Sequence, residues 1–298
     1  MEKVLVTGGH GFLGSCLVKK LRNDNRSVTV PNGDLRDYSY TLWMIKRADI
    51  VYHLAAVVGG EKYLHGTNEA ELTALQSNLV IDANVFRACR EANVKKIIYV
   101  SSCAVYPMER QKFLGAVFLE KDSEIVDPDG GYGWAKLVGE IQLSWMQNVG
   151  IIRPFNIYGI GAPTNNHSHV VSDLILKAIN YPKEKFEVWG GKQTRDFIYI
   201  DDCVDAMIAL EKKVGGLPIT VNIGSGKATS IKELAERIIR ISGKNIQPVY
   251  TKVPIRQYSR TADITRAKEL LGWKPKISLN EGLRRTYEWL ENNCSILH

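Results

Sequence analysis

The sequence predicts an α/β fold, a doubly wound parallel sheet followed by a smaller C-terminal α/β lobe. Three observations point there. Apolar, β-branched runs such as Val4-Leu5-Val6, Ile50-Val51-Tyr52 and Ile97-Ile98-Tyr99-Val100 alternate with segments whose apolar residues recur at helical spacing. The first run leads directly into a glycine-dense turn that opens a helix. The alternation weakens after about residue 159, so the sheet domain is expected over 1–160, with part of 190–225 returning to it, and the second lobe mainly over 161–298.

Taken in order, Val4-Leu5-Val6-Thr7 is a buried strand and Gly8, Gly9, Gly11 and Gly14 follow it, with Leu13, Leu17 and Leu21 marking the helix. Glycines allow a tight turn and close approach of a ligand, and a helix N-terminus presents unpaired N–H groups to phosphate. The stretch is therefore a Rossmann-like dinucleotide site in outline, with contacts expected from Gly8, His10, Gly11, Phe12, Leu13 and Gly14. Ser27-Val28-Thr29-Val30 is a second strand, stopped by Pro31-Asn32-Gly33. Asp34, about twenty residues past the glycines, is at the distance of the acidic residue that receives the ribose hydroxyls, or it faces the adenine with Leu35. The next strand, Asp49 to His53, delivers Leu54, Ala55 and Ala56 and then Val57-Val58-Gly59-Gly60, small residues past which a cofactor could lie. A helix is predicted from about Glu69 to Glu91, with Leu72, Leu75, Leu79, Ala83 and Phe86 on one stripe and Asn78 interrupting its length.

Lys95 to Val100 is a central strand carrying Ser101-Ser102-Cys103 at its C-terminal end, where ligands bind in such sheets. Tyr132 and Lys136, four apart at the start of an apolar-striped helix, share a face; a nearby ammonium favours the phenolate, which makes the pair an acid/base unit. Tyr181 and Lys185 repeat the spacing, but Pro182 and the surrounding charges place that copy in a turn. Val149 to Gly159 is one more strand with its exit loop, the last third holds helices over 231–241 and 279–290, and no internal repeat is present.

The length of 298 residues and 45% hydrophobic content are ample for a buried core, and no apolar run reaches bilayer length. With the first strand starting at Lys3, no leader is expected and the cytoplasm is the expected compartment. Cys16, Cys89, Cys103, Cys203 and Cys294 form neither a disulfide framework nor, with histidine, a metal site. A net charge of +7 favours anionic ligands, and the dispersed basic doublets argue for a phosphorylated metabolite over nucleic acid.

Together the Gly8/Gly11/Gly14 turn, His53-Leu54-Ala55-Ala56, Ser101-Ser102, Tyr132-x-x-x-Lys136, the run from Arg153 to Gly159 and the run from Arg195 to Asp202 resemble the extended short-chain dehydrogenase/reductases, over nearly the whole chain. Within that family the chain most resembles the GDP-fucose synthase and GDP-mannose 3,5-epimerase branch, through Val58-Gly59-Gly60, Ser101 to Pro107, Ser168-His169-Val170, Val188-Trp189-Gly190 and Asp263 to Arg266. The short span from Gly14 to Asp34 resembles GDP-fucose synthase, as though a helix–strand unit were trimmed.

The resemblance implies an enzyme acting on a nucleotide-diphosphate sugar by hydride transfer with NAD, or NADP. Ser102 would hydrogen-bond the reacting oxygen, Tyr132 would move its proton, and Lys136 would tune Tyr132 and hold the nicotinamide ribose; Asn78 and residues 54–56 would line the cofactor. Asn156, His169, Trp189, Arg195 and Arg260 would contact substrate, the two arginines through its pyrophosphate. His169 also matches a proton-exchange residue of this branch. The cysteine of that exchange falls on Ala104, and Cys103 lies one residue early, which on a continuing strand turns it to the opposite face. Two chemistries remain open, 4-epimerisation through a transient 4-keto sugar and NADPH-dependent reduction of a preformed 4-keto sugar; a binding protein without catalysis is a remote third. His10 stands where GDP-fucose synthase has Arg, which favours NAD, although Arg36 could receive a 2′-phosphate. Helices 69–91 and 132–145 would form a homodimer contact.

Overall fold

Six parallel strands make the central sheet of the computed structural model, which describes residues 2–164, 168–252 and 255–293. Across the sheet they run Ser27–Thr29, Lys3–Thr7, Ile50–His53, Lys96–Val100, Val149–Pro154 and Ile219–Ile223. The inner strands are covered on both faces, so they read as apolar runs without polar alternation. Val4 and Val6 point to one side, where helices Phe12–Asn23 and Ile200–Lys213 pack with Leu17, Leu21, Val204, Met207 and Leu210. Leu5 points to the other, against Ile45, Val85, Phe86 and Leu143 of helices Tyr38–Ile45, Asn68–Glu91 and Gly130–Leu143. The chain leaves Lys3–Thr7 toward one edge and returns at Ile50–His53 to build the other. The crevice between those two strands is the switch point at which such sheets bind ligands.

The second lobe is made of short strand pairs. Thr194–Arg195 lies between Thr229–Ser230 and Ser259–Ala262, Asn156–Tyr158 pairs with Phe197–Tyr199, and Glu187–Trp189 pairs with Val249–Thr251. Helices Val170–Asn180, Ile231–Ser242 and Leu279–Asn293 share a core that includes Leu174, Ile175, Leu234, Ile238, Leu283 and Leu290.

Two local expectations are corrected. The run from Val149 is interrupted at Phe155, and Asn156–Tyr158 turns away to pair with Phe197–Tyr199 in the second lobe. In the long helix the buried face carries Ala74, Asn78, Asp82, Val85, Phe86 and Cys89, while Leu72 and Ala83 are exposed. Polar Asn78 and Asp82 occupy the sheet-facing side because each finds hydrogen-bond partners there, so apolar spacing alone placed the stripe on the wrong azimuth.

Candidate active site

The turn after the first strand is sterically restricted to glycine. Gly8 has φ of +67°, and a Cβ there would lie 2.8 Å from the nitrogen of Ala55. A Cβ on Gly14 would lie 2.1 Å from the carbonyl oxygen of Gly8, which accepts the Gly11 N–H at 3.0 Å. Gly11 is the helix N-cap and offers no capping side chain, so the N–H groups of the first turn remain available to a ligand. A Cβ on Gly11 would meet only the Gly8 oxygen, at 3.2 Å, and otherwise open space. The cradle therefore fits a dinucleotide pyrophosphate. Phe12 and Leu13, half-buried, begin the helix and pack on the second-lobe core.

Beyond the turn, exposed His10 meets Asn32 through Nε2 and Oδ1 at 2.8 Å. Asp34 is exposed, and Arg36 donates to both of its oxygens, Nε at 3.0 Å and Nη2 at 2.7 Å, which holds the carboxyl below its usual range. Arg36 is thus taken by a neighbour two residues away, and Asp34 is an ion-pair partner first. Leu35 is buried in the core.

Leu54, Ala55 and Ala56, half-buried, leave the third strand beside the turn. The next segment is fixed by fully buried Asn78, whose side chain accepts from Val57 N at 2.7 Å and donates to Val57 O at 3.0 Å. Thr7 Oγ1 accepts from the N–H groups of Leu54 and Ala55 at 3.1 and 3.2 Å and stands 2.6 Å from His53 Nδ1. With both lone pairs engaged, the hydroxyl must donate to His53, whose Nε2–H then donates to Asp82 at 2.9 Å. Burial keeps the His53 ring below its usual pKa, in keeping with a neutral imidazole.

Ser102, Tyr132 and Lys136 meet at the C-terminal end of the sheet. The strand stops at Val100, and Cys103–Val105 forms a 3-10 turn whose Ala104 N–H is capped by Ser102 Oγ at 3.1 Å. The helix Gly130–Leu143 begins just before Tyr132, whose phenol is near enough to Ser102 to feel its hydroxyl. Burial pushes the phenol up; the neighbouring Ser102 hydroxyl and the positive charge of Arg260 oppose it. Lys136 is buried, donates to the Val100 carbonyl at 3.0 Å, and lies 5.9 Å from the Tyr132 ring centroid and 4.6 Å from that of Tyr99. Its own pKa is drawn down by burial, against the nearby carboxylates of Asp82 and Glu140. Burial therefore favours the protonated phenol, against the lowering by lysine that residue spacing suggested.

Cys103 needs correction too. Because the strand has ended, side-chain alternation no longer governs it. Its thiol is buried beside the Ser102 hydroxyl and feels Arg260, Asp129 and Arg195, on the same side as Tyr132. Burial nonetheless pushes the thiol up, which disfavours the thiolate that proton exchange requires.

From the second lobe, Arg195 and Arg260 are register partners on adjacent parallel strands. Arg195 donates to the Gln257 carbonyl at 3.2 Å, and Arg260 lies 3.7 Å from Asp129. The Nε of Arg260 and Oδ1 of Asn156 are buried with no hydrogen-bond partner among the described residues, the condition expected of groups that await a ligand. His169 is exposed at the start of helix Val170–Asn180, and the carbonyl before it, of Ser168, lies so close to Gly60 that a Cβ there would be 2.4 Å away. Trp189 ends its strand in an exposed position, and Tyr181 of the repeated Tyr/Lys spacing follows helix Val170–Asn180 in the second lobe.

Several residues at the site carried no sequence signal. Asp129 lies at the entrance to the Tyr132 helix and is held by Gln257, Arg256 and Arg260. His65 pairs with Glu71 at 2.6 Å, and Glu71 accepts the Gly131 N–H. Asp82 joins His53 and Tyr99 from three different elements, an arrangement no local pattern encodes.

A glycine cradle at the switch point, a Ser–Tyr–Lys group at the strand ends and a pair of arginines facing them define the comparison with known proteins. The chain is 28% identical to GDP-mannose 3,5-epimerase 1 of Oryza sativa subsp. indica, over 97% of this chain and 82% of the relative. It is 31% identical to GDP-L-fucose synthase 1 of Arabidopsis thaliana, over 98% and 94%. Its structure superposes on the UDP-glucose 4-epimerase of Thermotoga maritima, solved with UDP-glucose, with a TM-score of 0.87 at 26% identity, covering 98% of this chain and 99% of that one. The NAD dependent epimerase/dehydratase family model matches residues 4–224. The chain belongs to the NAD dependent epimerase/dehydratase family, the extended short-chain dehydrogenase/reductases whose fold it shares.

Proposed function

We propose that this chain is an NAD-dependent nucleotide-sugar 4-epimerase. The observation that carries the reading is the gathering of Ser102, Tyr132 and Lys136 at the C-terminal end of the sheet, with Lys136 held on the Val100 carbonyl 5.9 Å from the Tyr132 ring centroid and Arg195 and Arg260 paired on adjacent strands of the second lobe. Gly8, Gly11 and Gly14 would hold the pyrophosphate of NAD, with residues 54–56 along its length. When bound, NAD supplies the hydride acceptor for sugar carbon 4 and the donor for its return. Ser102 holds the sugar oxygen, Tyr132 takes its proton and gives it back, and the charge of Lys136 offsets the phenolate formed between the two steps. Arg195 and Arg260 clamp the substrate pyrophosphate, where a guanidinium fork matches phosphate oxygens, and Asn156 contacts the sugar or first phosphate. His169 and Trp189 border the sugar and base.

NAD is favoured over NADP because His10 is engaged with Asn32 and Arg36 with Asp34, which leaves neither poised for a 2′-phosphate. A second reading, reduction of a preformed 4-keto sugar with NADPH, draws on one observation. The span from Gly14 to Asp34, whose shortness resembles GDP-fucose synthase, holds only the remainder of helix Phe12–Asn23 and the strand Ser27–Thr29. Homodimerisation is supported by apolar residues left exposed on two packed helices, Leu72 and Val80 on one, Trp134 and Ile141 on the other, with Trp145 just beyond. A cytoplasmic setting agrees with the four unpaired cysteines among the described residues, and no described helix is long and apolar enough to cross a membrane.

The deciding experiment is to denature the purified protein, identify the released nucleotide, and incubate native protein with UDP- and GDP-hexoses. Retained NAD with interconversion of 4-epimers and no added reductant supports epimerisation; NADPH consumption only when a 4-keto sugar is supplied overturns it. Tyr132→Phe should retain cofactor and lose about 10²-fold or more in turnover.

A further inference from the structure

We propose that Asp82 is a positioning residue for the Ser–Tyr–Lys group: its carboxylate, fixed by His53 and Tyr99 and seated on Gly139, is the counter-charge that keeps Lys136 protonated in the buried floor of the site. The inference rests on the reading of Lys136 given above.

Asp82 is 1% exposed on the sheet-facing side of its helix. One oxygen accepts His53 Nε2–H at 2.9 Å, the other accepts the Tyr99 hydroxyl at 2.6 Å. Both donors are neutral, so they orient the carboxylate without cancelling its charge. Gly139, one turn beyond Lys136 on the neighbouring helix, makes the approach possible. A Cβ there would fall 2.5 Å from the Tyr99 hydroxyl and 2.9 Å from Asp82 Oδ2. Lys136 sits over the ring of the same Tyr99.

The other groups facing Lys136 do not substitute. Glu140, on its own helix, is forked by Arg153, whose Nε donates at 2.9 Å, and also accepts from Ser101, so its charge is already matched. Tyr132 is neutral while protonated, and the Val100 carbonyl supplies only a dipole. Burial depresses Lys136, and Asp82 is the largest opposing influence; reciprocally, Lys136 is the strongest influence lowering the Asp82 carboxyl against its burial. Through His53 and Thr7 the same carboxylate is tied to the backbone of Leu54 and Ala55 beneath the glycine turn, so lysine charge and cofactor floor belong to one hydrogen-bonded unit.

The test is a direct titration of Lys136 by NMR in protein carrying 13Cε-labelled lysine, the resonance assigned by its loss in Lys136→Arg. In Asp82→Asn the midpoint should fall by about one pH unit, a tenfold change in ionisation constant. Asp82→Glu should restore most of it, and Asp82→Ser, which keeps a hydroxyl for His53, covers the case in which the Asn variant does not fold. A kcat–pH profile follows the same coupling. Activity that needs charged Lys136 is lost as pH rises through its pKa, so the alkaline limb of the uncharged variants should move to lower pH with KM nearly unchanged. A Lys136 midpoint unaltered in both uncharged variants overturns the proposal, whether or not the sugar chemistry is correctly assigned. Loss of thermal stability with an unmoved midpoint would mean a purely structural role, and overturns it equally.

Discussion

Replacing Gly14 by alanine should weaken dinucleotide binding more than it weakens the fold. The added methyl would lie 2.1 Å from the Gly8 oxygen and 2.8 Å from Gly8 C and Gly9 Cα, all backbone atoms of the turn, so no side-chain rotation relieves it. Overpacking of this kind costs about 1–3 kcal/mol. The better helix propensity of alanine returns up to about 1 kcal/mol, because Gly14 is the third residue of its helix. The net loss in stability is therefore small, but it is relieved by opening the turn that accepts the Gly11 N–H. An opening worth 1–3 kcal/mol corresponds to about a 5- to 150-fold rise in Kd for NAD. Gly11→Ala is the contrasting case. Its methyl meets the protein at one point and projects into the space assigned to the ligand, so thermal stability should hold while affinity falls. Calorimetric titration with NAD alongside thermal unfolding separates the two. If both variants bind NAD within twofold of the parent, the turn is not the pyrophosphate cradle.

Other expectations follow from the same contacts. Arg153→Met strands the buried Glu140 carboxylate and should cost about 3–5 kcal/mol in urea unfolding, whereas the double replacement Arg153→Met/Glu140→Met should recover a good part of it. Arg260→Met should raise KM for the sugar nucleotide by about tenfold or more with NAD affinity unchanged, as measured by initial rates; an unchanged KM removes Arg260 from the substrate clamp. His53, buried with its pKa lowered, binds fewer protons folded than unfolded, so stability falls as pH drops below the unfolded histidine value of about 6.5. His53→Gln should flatten that part of a Tm-against-pH curve, and an unaltered slope would contradict a neutral buried imidazole. Ile141→Lys combined with Trp145→Lys should convert a dimer to monomer in analytical ultracentrifugation, and a dimer that survives would place the contact elsewhere.

What the sequence made legible was whatever physics writes locally. A glycine that must avoid its own turn, a strand of Val, Ile and Leu buried on both faces, and a tyrosine four residues before a lysine all leave short-range marks. The errors share a cause. Assigning the stripe of the long helix by apolarity overlooked that Asn78 and Asp82 could be satisfied by Val57, His53 and Tyr99, residues distant in sequence. Reading Cys103 as facing away assumed a strand that ends at Val100. In each case the deciding interaction was one that spacing does not encode.

The strand Ile219–Ile223 has a consequence for synthesis of the chain. It is the edge partner of Val149–Pro154, a strand buried at every position and fully made some seventy residues earlier. Until residue 223 has left the ribosome, that strand has a bare flank of N–H and C=O groups beside exposed apolar side chains, a template for pairing with another nascent copy. The sheet closes only after the first strands of the second lobe have also emerged, so a truncation placed between 160 and 219 would leave an adhesive edge where it was meant to leave a domain.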